Sequence, residues 1–258
     1  MTWNRKHQLI IIGIGIIFLA GIAFLIIKPY INKEPTCFDG KQNGIETGID
    51  CGGSCSLVCS NAITPLSVLF ARSGEIIPGR HNAVAYVENL NKDSGVSSIK
   101  YEFRLYDNRD ILIARRTGET FIDANGLNPI FEGGIDTGNQ TPVRTAFRFL
   151  TDAPVWTKID MKKPGALLLT VRDKFLSDTT TEPRLLANLV NTSLFRLQNV
   201  DIVAIVYDAN KNVISTSATY IPEIGPQATI PISFTWPKPF AKDAVITEII
   251  PRVNRFVR

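Results

Sequence analysis

The sequence predicts an all-β protein, two tandem antiparallel β-sandwiches behind one N-terminal apolar helix. Three observations predict it. From Ile63 onward, short β-branched and aromatic runs alternate with turn residues, and no amphipathic helical segment of about 10–15 residues separates them. Several runs have a period of two: Ile99, Tyr101, Phe103 and Leu105 alternate with Lys100, Glu102 and Arg104, the mark of a strand with one buried face. Finally, SSIKYEFRLYDNRDILIARRT recurs as NVDIVAIVYDANKNVISTSAT, with Tyr106-Asp107 falling on Tyr207-Asp208 at an offset of 101 residues.

The first element is Leu9–Ile27, LIIIGIGIIFLAGIAFLII, nineteen residues without a charge. As a helix it rises roughly 28 Å, close to the hydrocarbon thickness of a bilayer. The small residues Ala20, Gly21 and Ala23 lie inside the run instead of after it, which predicts an uncleaved anchor. Arg5 and Lys6 on one flank balance Lys28 and Lys33 on the other, so flanking charge does not orient it. The cysteines do. Cys37, Cys51, Cys55 and Cys59 cluster beyond the helix and read as two disulfides in an oxidising compartment. The expected layout is a cytoplasmic tail (1–8), a single transmembrane helix in the cell membrane (9–27), and an extracytoplasmic bulk.

Residues 28–60 form a stalk and a cysteine-rich loop too rich in Gly and polar residues for a helix or long strand. Three disulfide pairings are possible. Cys37–Cys51 is the favoured one, because it closes a loop carrying Asp39, Asn43, Glu46 and Asp50. The same loop carries the candidate metal ligands. Asp39, Asn43, Gly44, Thr47 and Asp50 occupy positions 1, 5, 6, 9 and 12 of a calcium-loop register, where oxygen ligands and a turn glycine belong. Lys41 stands where another ligand is wanted, and Asp50 is shorter than the usual bidentate Glu. The competing reading is a stapled turn whose Asp and Asn side chains bond the local backbone. Four-cysteine zinc is disfavoured, since the cysteines do not form two close pairs.

Strands are expected over Pro65–Ala71, Ala83–Glu88, Ser98–Tyr106, Ile111–Arg116, Thr145–Leu150, Ala166–Val171, Leu185–Val190, Val200–Tyr207, Val213–Thr219, Thr229–Phe234 and Val245–Ile250. Asp107–Asp110 and Asp208–Asn212 suit hairpin turns. Val87-Glu-Asn89 falls on Leu189-Val-Asn191 in the repeat. Gly138-Asn-Gln140 with Phe147 falls on Gly225-Pro-Gln227 with Phe234. That alignment gives the first copy about fourteen extra residues around Ile122–Ile135. The domains are then 61–162 and 163–258, with the boundary near Lys162-Lys-Pro-Gly165.

Phe103-Arg-Leu-Tyr-Asp107 resembles the signature of the FxLYD domain, an immunoglobulin-like sandwich of exported bacterial and archaeal proteins. The second copy is similar to that family over more of its length, with Ala204-Ile-Val206 in place of Phe-x-Leu. The segment C-x-D-G…N-G…E-T-G-x-D-C-G-G-x-C resembles one found in bacterial surface proteins. These resemblances imply neither an enzymatic activity nor a common ligand.

The remaining composition bounds function. Net charge is +4, with 28 basic and 24 acidic residues, too even for a nucleic-acid binder. No G-x-S-x-G, H-E-x-x-H or phosphate-loop motif occurs, and His81 is the one histidine outside the N-terminal segment, so no catalytic residue and no small-molecule substrate is assigned. Arg115, Arg116, Arg144, Arg148, Arg252, Arg255 and Arg258 offer either a polyanion surface or an ordinary solvated face. Asn139 and Asn191 head glycosylation sequons. The expected function is non-enzymatic: a membrane-anchored cell-surface protein presenting two sandwiches for binding or adhesion to envelope proteins or cell-surface polymers. The alternative is a structural or accessory subunit of an envelope complex. No cofactor is expected; calcium at Asp39, Asn43, Thr47 and Asp50 is the one candidate, beside the stapled-turn reading.

Overall fold

The structure, a computed structural model, describes residues 3–31, 36–160 and 168–256. They belong to two compact units, Met1–Cys55 and Ser56–Arg258. The first unit holds one α-helix, α1 (Trp3–Ile31), followed by the cysteine loop. Among the described residues, no helix is long and apolar enough to cross a membrane. This overturns the single-pass anchor over 9–27 and the membrane localisation built on it, with its cytoplasmic tail and extracytoplasmic bulk.

The second unit is built of antiparallel strands: β1 (Ser67–Ile77), β2 (Arg80–Asn89), β3 (Ser94–Tyr106), β4 (Leu112–Ile122), β5 (Gly126–Asp136), β6 (Arg144–Phe149), β7 (Trp156–Lys158), β8 (Leu169–Ser177), β9 (Arg184–Asn191), β10 (Leu197–Tyr207), β11 (Val213–Ile224), β12 (Thr229–Thr235) and β13 (Ile246–Val253). They form four sheets, ordered β1-β2-β5, β4-β3-β6 with β7 also on β3, β12-β9-β8 and β11-β10-β13. The first two sheets enclose a core that includes Ala83, Ala85 and Val87 from β2 and Ile99, Tyr101, Phe103 and Leu105 from β3. The last two enclose Leu185 and Leu189 from β9, Ile202, Ala204 and Val206 from β10, and Phe234 from β12. Alternation places these residues on one face of each strand, as the period of two requires.

The two halves share one topology: β1-β2-β5 corresponds to β8-β9-β12, and β4-β3-β6 to β11-β10-β13. Local chemistry repeats with it. Asn89, 1 % exposed, donates from Nδ2 to the carbonyls of Ser94 (2.8 Å) and Asp123 (2.9 Å), and its Oδ1 accepts from the Asn91 backbone N–H at 3.0 Å. Asn191, fully buried, donates to the carbonyls of Phe195 (2.7 Å) and Gly225 (2.8 Å) and accepts from the Ser193 backbone N–H at 3.0 Å. One asparagine thus ties down the chain leaving the second strand in each half. Buried carbonyls need such donors.

The topology corrects one part of the sequence alignment. Residues 126–136 are not an inserted loop but β5, the counterpart of β12, and β6 corresponds to β13. The Val143 N–H donates to the Tyr106 carbonyl at 2.8 Å, and Val245 does the same for Tyr207 at 2.9 Å. The predicted boundary, Lys162–Gly165, lies outside the described residues.

A third core lies between the two halves. Val84 and Tyr86 of β2 pack with Val203, Ile205 and Tyr207 of β10, flanked by Phe70, Phe131, Val213 and Ile250. β2 and β10 are therefore buried on both faces, and the sheets β1-β2-β5 and β11-β10-β13 meet back to back. Polar links close the seam: Asn82 Nδ2 donates to the Thr216 carbonyl (2.9 Å), and Lys238 pairs with Glu75 (2.8 Å).

Candidate functional site

In the first unit the cysteines join Cys37 to Cys55, with an S–S distance of 2.03 Å. Cys51 and Cys59 are also disulfide-bonded, and no cysteine is free. The two expected disulfides exist, but Cys37 does not pair with Cys51. The loop itself supplies the reason. Thr47 and Gly48 both donate to the Cys51 carbonyl, at 3.1 and 3.2 Å, and fold Cys51 into a tight turn. Gly53, in the left-handed region at φ 55°, lies so close to Ile45 that a Cβ would stand 1.8 Å from the Ile45 carbonyl oxygen. Only glycine lets the chain make this approach, which leads on to Cys55.

The candidate calcium ligands do gather in this loop, and local donors already engage both carboxylates. Asp50 accepts backbone N–H groups from Asp39 (2.9 Å) and Gly40 (3.1 and 3.0 Å). Asp39 accepts from the Lys41 N–H (3.0 Å) and Asn43 Nδ2 (2.9 Å), and the bond from Asn43 is the first cause holding its carboxyl below the usual value. Asn43 Oδ1 is shielded from solvent without a hydrogen-bond partner. Thr47 enters the turn through its backbone. Glu46 comes near Cys37 and Cys55, but their sulfurs are oxidised and do not offer thiolates to a metal.

In the second unit the signature residues divide by role. Phe103 and Leu105 are fully buried core, and Tyr106 carries the Arg144 guanidinium 3.8 Å from its ring centroid. Asp107 Oδ1 accepts from the N–H groups of Arg109 and Ile111, both at 2.9 Å. Asp208 does the same for Asn210 (3.0 Å) and Asn212 (2.8 Å). In both turns a residue three positions after the Asp, Asp110 or Lys211, takes a left-handed φ near 61–62°. Both aspartates are held below the ordinary carboxylate range, Asp107 chiefly by the Ile111 N–H and Asp208 chiefly by the Asn212 side chain. They are turn caps.

The arginines predicted as a basic face are spread among separate partners. Arg104, Arg115 and Arg148 converge on Glu102, whose side chain is 3 % exposed beneath them. Burial raises the Glu102 pKa, but hydrogen bonds from Arg104 and Arg148 outweigh it and the carboxyl stays below its ordinary value. Arg116 pairs with Glu132, Arg144 with Asp110 and Arg255 with Asp123. Arg258 lies outside the described residues. Asn139 is exposed, whereas the second sequon asparagine, Asn191, is buried and fully hydrogen-bonded. His81, expected in a turn, lies in β2 at 3 % exposure, with Nδ1 3.2 Å from Thr137 Oγ1; burial lowers its pKa.

Two groupings at the seam carry no sequence signature. Tyr86 and Tyr207 donate to the same Glu248 oxygen, at 3.1 and 2.7 Å, and burial with that carboxylate pushes both phenols up. Nearby, a cleft of about 370 Å³ is lined by Tyr101, Glu119, Asp201, Thr219, Tyr220 and Arg252, among others. Arg252 is 8 % exposed and donates from Nη2 to the Phe121 carbonyl (2.6 Å) and Thr120 Oγ1 (3.1 Å). Burial brings its pKa down to about 10, so it remains cationic at neutral pH. What could have found the cleft is the pair of unbroken apolar runs at Ala83–Val87 and Ile202–Val206. They exceed what a sandwich wet on one side needs.

No protein-family model and no curated protein matches the chain. Among solved structures it is similar to red sea bream transglutaminase, with a TM-score of 0.26 and 11 % identity, over 74 % of this chain and 31 % of that one. This chain thus spans about a third of the length of that structure. A likeness of that size carries no argument about fold or activity.

Proposed function

We propose that residues 56–258 are a non-catalytic binding or adhesion module of two immunoglobulin-like sandwiches fused into one block. The strand orders β1-β2-β5 and β4-β3-β6, repeated in the second half, support the immunoglobulin-like part. They agree with the A-B-E and C′-C-F portions of such a sandwich, and so does the resemblance of Phe103–Asp107 to the FxLYD signature. The observation that carries the binding reading is the seam. It buries both faces of β2 and β10, so the two sandwiches hold a fixed orientation and present outer faces and a cleft as one preorganised surface. The test is saturable binding of the labelled full-length chain to intact cells or isolated cell-surface polymer. Absence of binding to both would refute the module.

A second reading, a structural or accessory subunit of a larger complex, is favoured by α1. Its described side chains are apolar all round and largely exposed, Ile17 at 74 % and Leu25 at 70 %. Such a helix calls for a partner. Light scattering separates the two: a single-chain mass supports the module, a defined large assembly the subunit.

A further inference from the structure

Asp201, in β10, stands directly opposite Tyr220 of β11 on one side and Arg252 of β13 on the other. Residues opposite one another on adjacent antiparallel strands point to the same face. Here that face is the one bearing Val203, Ile205 and Tyr207, so the row lies at the seam and lines its cleft. Arg252 is held through Nη2 and by the Phe121 ring 4.4 Å from its guanidinium carbon, and it lines the cleft beside Asp201. Burial raises the Asp201 pKa, and the charge of Arg252 offsets part of that effect. Tyr220, by contrast, is 52 % exposed and fixed through its hydroxyl to Asn199 Oδ1 at 2.5 Å.

The half-buried Asp201 carboxylate lines the cleft without a hydrogen-bond donor among the described residues, beside the cationic Arg252, and such a carboxylate suits a ligand donor. The charges select among ligands. An anion would meet Asp201 and Glu119, and a cation would meet Arg252. A neutral group with adjacent hydroxyls satisfies both, one oxygen accepting from the part of the Arg252 guanidinium that lines the cleft while a neighbouring O–H donates to Asp201. Tyr220 adds an exposed ring for the C–H face of such a group. The volume of about 370 Å³ falls at the lower end of small-molecule sites. We propose that the Tyr220–Asp201–Arg252 row binds a neutral sugar residue of a glycan. The proposal rests on the binding-module reading and names its ligand class.

The test is saturation-transfer NMR on the full-length chain with glucose, galactose, mannose and N-acetylglucosamine, beside N-acetylneuraminic acid and glucosamine as charged controls. At least one neutral sugar is expected to bind with a Kd of about 1 mM, and the charged controls more weakly. Tyr220→Ala, on an exposed side chain, is expected to weaken binding about tenfold without changing the melting temperature, and Asp201→Asn to weaken it as well. No binding by any neutral sugar, tighter binding of either control, or affinity unchanged in both variants would overturn the site. If both variants still bind cell-surface polymer like the parent, the module stands and this site falls. If the parent binds neither sugar nor polymer, both fall.

Discussion

Ile205→Ala tests whether the seam is a true core. Ile205 is fully buried between the two halves, packed with Val84, Tyr86 and Val203. The change removes three carbons, about 2.4 kcal/mol at roughly 0.8 kcal/mol each. The cavity left in a close-packed site brings the loss to about 3–4 kcal/mol. For a body of this size each kcal/mol lowers Tm by about 2–4 °C, so a fall of roughly 6–16 °C is expected in calorimetry. A single transition that splits into two would show the halves uncoupling. Leu186→Ala is the control. Leu186 is 40 % exposed on β9, and its truncation should stay within about 1 kcal/mol. A loss at Ile205 below about 1 kcal/mol, or no larger than the control, would refute the seam as a core.

Asn191→Ala should destabilise the second half by about 3 kcal/mol or more in urea unfolding, because it strands the Phe195 and Gly225 carbonyls and the Ser193 N–H. In a glycosylating host, mass spectrometry should accordingly find sugar at Asn139 and none at Asn191. His81 is neutral in its buried site, with a pKa below its ordinary 6.5, so the unfolded chain binds its proton first. Stability should therefore fall as pH drops below about 6.5 and level off once the folded pKa is passed; a His81→Gln variant should lose that slope in a pH series of melting curves. Peptide mapping without reduction should recover Cys37 linked to Cys55, and a Cys37–Cys51 peptide would contradict the loop geometry. Because local donors engage Asp39 and Asp50, melting and proteolysis of the loop should not change between chelator and millimolar calcium.

Most strands were legible because one-sided burial writes a period of two, as in Ile99–Leu105. The repeat was legible through Tyr106-Asp107, whose turn needs a short carboxylate to cap two N–H groups. β5 was not. Its sequence, GLNPIFEGGID, reads as a loop, yet as an edge strand it tolerates Pro129 opposite Tyr86. Its loss shifted the downstream alignment. The seam was missed for another reason: Ala83–Val87 and Ile202–Val206 are apolar without alternation, and a strand count alone does not weigh that. Charge counting left the arginines open between a polyanion surface and a solvated face, and their shared partner Glu102 is set by three strands that bring Arg104, Arg115 and Arg148 to it. The row of Tyr220, Asp201 and Arg252 is set by register across β10, β11 and β13, which no single stretch of sequence encodes.

The seam joins unlike sheets, β1-β2-β5 of one half to β11-β10-β13 of the other, so the contact is head to tail and would not close on itself. A chain built this way leaves a face of each kind unused at its ends. At the offset of 101, Val203 and Ile205 correspond to Glu102 and Arg104, and the face that is greasy in the second half is salted in the first. On the far end, Val84 and Tyr86 correspond to Leu186 and Asn188 at an offset of 102. The Glu102 cluster then works as a full stop in the sentence of sheets. Swapping Glu102 and Arg104 for valine and isoleucine would turn it into a comma, though Asn188, standing where the seam has Tyr86, still punctuates the far end.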